Sequence, residues 1–85
     1  MSWSVYIIEA TDGSLYTGVT TDLDRRWREH TGTGRGAKFF RGSRQPRRIR
    51  YSESVPGRSE ALRREVAIKR LSRAEKLELI GEGPA

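Results

Sequence analysis

Hydrophobic residues recur along this chain at two different spacings, one of strands and one of helices. Trp3–Ala10 and Leu15–Thr20 are rich in Val, Ile, Tyr and Thr and flank Thr11-Asp12-Gly13-Ser14, which reads as a β-hairpin. A two-residue turn at Asp12-Gly13 would pair Tyr16 with Glu9 and send Tyr6 and Tyr16 to opposite faces. A three-residue loop, with Gly13 in the left-handed bulge position, pairs Ala10 with Ser14, Ile8 with Tyr16 and Tyr6 with Gly18. Both tyrosines then share a face. Leu23, Trp27 and His30 follow at helical spacing. They predict the buried stripe of a helix that begins after Thr21, which caps it with Asp24 at the third position, and ends near Gly32. Arg26 lies at the edge of that stripe, against the hairpin, while Arg25 points to solvent within reach of Glu29.

Ala37-Lys38-Phe39-Phe40-Arg41 predicts a single helical turn whose phenylalanines anchor a basic loop, with base stacking as their other use. Alternation at Ile49, Tyr51 and Val55 predicts a third strand over Arg48–Val55, stopped by Pro56-Gly57. Ser59 is placed to cap the helix that carries Glu65, and Ser72 with Glu75 forms a capping box for a last short helix carrying Leu77 and Ile80 and closed by Gly81. The tail Glu82–Ala85 is expected to fray. The expected fold is therefore α+β, a three-stranded antiparallel sheet flanked by helices in the order β-β-α-(short α)-β-α-α. Eighty-five residues suit one domain over 1–85, with its core at about 3–80.

One position breaks the pattern. On a wheel of about 100° per residue, Ala61, Leu62, Val66 and Ile68 form one arc and Glu65 falls in its middle. Either Lys69 neutralises it as an i,i+4 pair, or the carboxylate serves a cation or a proton.

Charge sharpens the picture. The formal net charge is +6, and Arg35, Lys38, Arg41, Arg44, Arg47, Arg48 and Arg50 fall in one run with no acidic residue between Thr31 and Ser52. A polyanion suits such a run, because neutralised phosphates release counterions and arginine grips phosphate with two hydrogen bonds; a solvated basic loop is the plain alternative. Gly36, Gly42 and Pro46 interrupt it, so it makes no amphipathic membrane helix. Cysteine is absent, which removes disulfides and thiolate metal sites. With no run of 18 apolar residues and no leader-like N-terminus, the expectation is a soluble cytoplasmic protein with no membrane partner, and a monomer.

Taken together, Ser4-Val5-Tyr6, Tyr16-Thr17-Gly18, the helix Asp22–His30 and the segment Ala61–Leu71 resemble, in order and spacing, the four motifs of the GIY-YIG nuclease domain. The resemblance spans about Trp3 to Ile80 and is strongest to small stand-alone bacterial members related to the N-terminal domain of excinuclease C. It implies an endonuclease hydrolysing DNA phosphodiesters, structured or repair-intermediate DNA included, to leave a 5′-phosphate and a 3′-hydroxyl. It implies one Mg²⁺ (or Mn²⁺) ion on Glu65, a phosphate grip at Arg26, a proton-handling or water-positioning Tyr6, a second site tyrosine at Tyr16, and a structural glycine at Gly18. His30 matches a position near the site, and a buried stripe residue with a satisfied hydrogen bond is its plainer reading. A phenol with a pKa near 10 is a poor base at pH 7, so Tyr6 would need the metal and Arg26 to lower it. The basic positions Arg25, Arg35, Lys38, Arg41, Arg44, Arg47 and Arg48 would hold the nucleic acid. Val19 stands where some members carry an assisting lysine, and no asparagine occurs anywhere, so the late asparagine of some branches has no counterpart. A non-catalytic module binding DNA or RNA through the same surface is the other function class.

Overall fold

The computed structural model describes residues 2–33 and 39–81. The first pair of strands, β1 (Trp3–Ala10) and β2 (Leu15–Thr20), closes through the three-residue loop. Ala10 N–H donates to Ser14 O at 2.8 Å, Gly13 N–H donates to Ala10 O at 2.9 Å, and Gly13 takes φ +87°, the left-handed geometry that a bulge glycine supplies without steric cost. The register pairs Tyr6 with Gly18 and Ile8 with Tyr16. Strand β3 (Pro46–Val55) starts two residues earlier than its alternation predicts and pairs antiparallel with β1 on its other side. The sheet order is β2-β1-β3, so the hydrophobic β1 is central and both flanking strands are edges.

Helix α1 (Leu23–Arg28) is capped by Asp22 rather than Thr21, the Asp22 carboxylate accepting from Arg25 N–H at 3.0 Å. Thr20 is buried, and its hydroxyl accepts from Asp22 N–H at 3.1 Å; this local bond delays the helix by one residue and hands the cap to the better acceptor. A π-helical turn, Glu29–Thr33, continues α1. Within it the Thr31 hydroxyl donates to Trp27 O at 2.9 Å, the back-bonding that widens and bends a helix.

Helix α2 (Arg58–Lys69) starts before Ser59. Gly57 is its N-cap, with no side-chain cap bond, because the strand ends at Val55, Pro56 follows, and extended Gly57 turns straight into the helix. Ala61 and Ile68 of α2 join Val5 and Ile7 in the core, with Leu79 and Ile80 of α3 (Arg73–Ile80) packed at its margin. Val66 is 47% exposed, so the buried face centres on Ala61 and Ile68 and Glu65 flanks it instead of sitting in its middle. The Ser72/Glu75 capping box and left-handed Gly81 both form. The expected helical turn over Ala37–Arg41 falls partly on residues 34–38, outside the described residues. Phe39 and Phe40 enter an irregular turn that leads to the Arg41–Arg44 bridge.

Candidate active site

Tyr6 and Tyr16 stand on one face because the loop fixes the register, and Gly18 makes room between them. A Cβ at position 18 would lie 2.5 Å from the Tyr6 hydroxyl oxygen, 2.7 Å from its Cζ and 3.0 Å from Tyr16 Cε2. The Tyr6 ring therefore lies directly over the glycine of the neighbouring strand, and the residue is 1% exposed.

The widened turn after α1 brings His30 down onto these rings. His30 Nε2 is 3.0 Å from the Tyr6 hydroxyl, and the imidazole meets Tyr6 and Tyr16 edge-on, with centroids 6.1 and 5.5 Å away. Burial, then the neighbouring Tyr16, pushes the Tyr6 phenol up to about 12, outweighing the hydrogen bond and charge of Arg26. Burial, then the charge of Arg26, pushes His30 down to about 4. At neutral pH the phenol thus keeps its proton and the imidazole is neutral; the Tyr6 O–H donates to Nε2 in the tautomer with the ring proton on Nδ1, and an Nε2–H donates to the phenol oxygen in the other. Arg26 acts in the expected direction, lowering the phenol, but in the resting protein desolvation outweighs it.

Arg26 is half-buried and hydrogen-bonded to both Glu29 and Tyr6. Burial opposes its charge, but those two bonds outweigh it and its pKa is raised. Glu29 Oε1 accepts from Arg26 Nη1 at 3.0 Å. The structure thus gives Glu29 to Arg26, not to Arg25, which stays exposed. Two aromatic residues complete the wall. Phe40 packs at 5.0 Å from the His30 ring and 5.2 Å from that of Tyr16, and Phe39 at 5.3 Å from Tyr16. Their anchoring role holds, and what they anchor on is the tyrosine–histidine pair.

Glu65 lies apart from this hydrogen-bonded group. Its Oε2 is 3.2 Å from Lys69 Nζ, with the carboxylate side chain 18% exposed and the lysine 53%, so the i,i+4 pair forms. Its charge also reaches Tyr6, where it helps raise the phenol pKa. Among the described residues no three His, Cys, Asp or Glu side chains come together to hold a metal. What the described residues offer there is one carboxylate, sheltered yet reachable by water and already partnered by an exposed lysine. A hard divalent ion that keeps most of its waters fits that donor set.

The basic run is less free than its sequence suggests. Glu9 Oε1 accepts from Arg48 Nε at 2.9 Å and from Arg50 Nη1 at 3.0 Å, and Asp12 Oδ2 accepts from Arg44 Nε at 2.9 Å. Arg41 and Arg47 are exposed. Arg35 and Lys38 lie outside the described residues. The acid partners come from β1 and the hairpin, more than thirty positions upstream, so only tertiary structure reveals them; Glu29, three residues from Arg26, was legible as a helical pair.

Comparison with known proteins bears on the family and the fold. The sequence profile described as GIY-YIG catalytic domain matches residues 2–78. A UPF0213 protein of Halobacterium salinarum is 56% identical over 72 residues, 85% of this chain and 91% of that one. The UPF0213 protein YhbQ of Escherichia coli is 42% identical over 81 residues, 95% and 79% of the two chains. The solution NMR structure of a UPF0213 protein from Bacillus halodurans superposes with a TM-score of 0.60 at 47% identity, over 95% of this chain and 84% of that one.

Proposed function

The chain belongs to the GIY-YIG catalytic-domain family, and on that premise we propose that it is a metal-dependent endonuclease. Its substrate would be DNA, structured or repair-intermediate DNA in particular, cut to a 5′-phosphate and a 3′-hydroxyl in the manner of the excinuclease C domain. One observation carries the proposal: the Tyr6 hydroxyl is held between the Arg26 guanidinium and a neutral imidazole; with the ring proton on Nδ1, Arg26 donates to the hydroxyl oxygen and His30 Nε2 accepts from it. A buried phenol needs one partner to be satisfied. Two partners of opposite function make it a proton conduit.

In that arrangement Arg26 grips the scissile phosphate and offsets the charge that grows on its oxygens, its direction fixed by Glu29. As the nucleophilic water gives its proton to the Tyr6 oxygen, Tyr6 passes its own proton to His30 Nε2, so the phenol never carries a full negative charge. His30 ends as imidazolium and returns the proton to solvent after cleavage. The anionic phosphate beside the pair raises the proton affinity of His30, which in the empty site is too low for a base at pH 7. Gly18 keeps the phenol in place, and Tyr16, Phe39 and Phe40 exclude water around the imidazole. A Mg²⁺ or Mn²⁺ ion on Glu65 would supply Lewis-acid stabilisation and lower the pKa of water bound to it.

No helix among the described residues is long and apolar enough to cross a membrane; we place the protein in the cytoplasm as a one-domain monomer that cuts one strand per encounter. The test is cleavage of labelled branched and single-stranded DNA, with and without Mg²⁺, by wild type, Glu65→Ala and Tyr6→Phe. The expected result is metal-dependent cutting that either substitution lowers by about 10²-fold or more while binding persists. A second reading, a DNA- or RNA-binding module without cleavage, draws on the Lys69 ammonium already seated on Glu65. It is upheld if all three proteins bind and none cuts.

A further inference from the structure

We propose that the pocket between the hairpin tip and the turn at residues 41–45 binds one unpaired nucleotide of the strand being cut. The pocket has a volume of about 290 Å³ and is lined by Asp12, Phe39, Arg41, Ser43 and Arg44. That is just below the usual range of ligand pockets, about 300–1,000 Å³, and suits a single nucleotide rather than a duplex.

The pocket is built, not incidental. Thr11 N–H donates to Gln45 O at 2.8 Å, the Thr11 hydroxyl donates to Ser43 O at 2.6 Å and accepts from Gln45 N–H at 3.1 Å. Gln45 Nε2 donates to Gly42 O at 2.9 Å. These bonds fasten the turn to the hairpin, so the walls stand ready before a ligand arrives. The Asp12 carboxylate, held well below the usual range at about 2 by Ser14 and then Arg44, stays ionised and engages Arg44 through Nε. That leaves the Nη groups of Arg44 for a ligand.

The chemistry of the lining matches a nucleotide. The Arg44 guanidinium lies 4.7 Å from the centroid of the Phe39 ring, a paired cation and aromatic plane of the kind on which bases stack. Arg41 has no ion pair among the described residues and, with the Ser43 hydroxyl, offers a phosphate a charge and a donor. Phe39 also packs 5.3 Å from Tyr16, so one ring forms the wall between this pocket and the tyrosine–histidine site. Resting on the nuclease reading, that shared wall places the bound nucleotide beside the scissile phosphate. The substrate is then one with an unpaired base next to the cut, such as a flap, a fork or a frayed end.

The experiment measures binding of Glu65→Gln protein, without added metal, to a forked oligonucleotide with 2-aminopurine at the first unpaired position. Stacking quenches the 2-aminopurine fluorescence, and removing the base at that position (an abasic site) or Phe39→Leu each weakens binding about tenfold, with no further loss when combined. Arg41→Gln, at an exposed position that the core does not need, weakens binding to the fork more than to fully paired DNA. A free mononucleotide at the same concentration does not compete; equal competition would assign the pocket to a soluble nucleotide and overturn the proposal. Binding that ignores both the abasic site and Phe39→Leu overturns the pocket alone and leaves the nuclease reading standing. No binding of any nucleic acid at low salt overturns both.

Discussion

Replacing Gly18 with alanine is the smallest change that should dismantle the site. The added Cβ would stand 2.5 Å from the Tyr6 oxygen and 2.7 Å from Cζ, when an unstrained carbon contact needs about 3.5 Å or more. Tyr6 is 1% exposed, so the ring cannot swing into solvent. It must move by about 1 Å against packed neighbours. Overpacking of this kind costs about 1–3 kcal/mol, and losing the 3.0 Å bond to His30 adds about 1 kcal/mol. The sum, about 2–4 kcal/mol, lowers Tm by about 10–25 °C in a domain of this size, which differential scanning calorimetry reads directly. A displacement of 1 Å at the proton-handling oxygen costs about 10²-fold in cleavage, measured below the lowered Tm so that unfolding does not contribute. In a Tyr6→Leu background the ring is gone, and Gly18→Ala should then cost less than about 1 kcal/mol, because only the 3.0 Å approach to Tyr16 remains. A Gly18→Ala protein with Tm within about 3 °C of wild type and undiminished cleavage would refute the reasoning.

Three further outcomes are expected. His30 is the single histidine, so one ring resonance in an NMR titration reports it; that resonance should stay unchanged above pH 5 and move near pH 4. The unfolded chain protonates it near 6.5, so stability should be flat above about pH 7 and fall as pH drops from about 6.5 to 4, by up to about 3 kcal/mol; His30→Gln should flatten that slope, and a midpoint near 6.5 would show the ring to be solvated. The Thr17 hydroxyl is buried at 3% residue exposure with no hydrogen-bond partner among the described residues, so Thr17→Val should raise stability by about 1 kcal/mol in urea denaturation, and a loss would mean that the hydroxyl is satisfied in solution. Glu9→Gln removes the negative charge that Arg48 and Arg50 share; unfolding should become easier by about 1 kcal/mol, and an unchanged urea midpoint would place that pair with the surface ones.

The hairpin was legible down to its register because turn chemistry and strand alternation meet at one residue: only with Gly13 left-handed do Tyr6 and Tyr16 share a face, and that is what forms. The capping box of α3 was legible for the same reason, since Ser72 and Glu75 act within one turn. Caps that depend on a neighbour outside the helix were not. Thr20 takes the Asp22 amide and so shifts the start of α1, and no local preference announces it. The wheel at Glu65 misplaced Val66 because periodicity fixes which residues share a face but not where the partner sheet touches it. Tyr6 shows the same limit in its chemistry. Its nearness to Arg26 was readable, but the balance of that charge against burial depends on how deeply the ring is sunk, which is a property of the packed molecule.

The ion pairs recast how this surface meets a polyanion. Seven cations in sixteen residues suggest a uniform electrostatic strip, yet Arg44, Arg48 and Arg50 each face a carboxylate brought in from β1 or the hairpin. The pairing does not waste those arginines, because it uses the Nε of Arg44 and of Arg48 and so turns each guanidinium fork in a set direction. Undirected attraction is spread over the whole backbone and brings no preference; a guanidinium held in place recognises phosphate at a chosen spot. The acids therefore exchange affinity for position. On the nuclease reading, position is a means of favouring one DNA geometry over another, and two of these held arginines sit beside the hairpin that also carries Tyr6 and Tyr16. On that reading the same two strands would set both substrate choice and the placement of the Tyr6 phenol, so a change in the Thr11–Gly13 loop should alter both together.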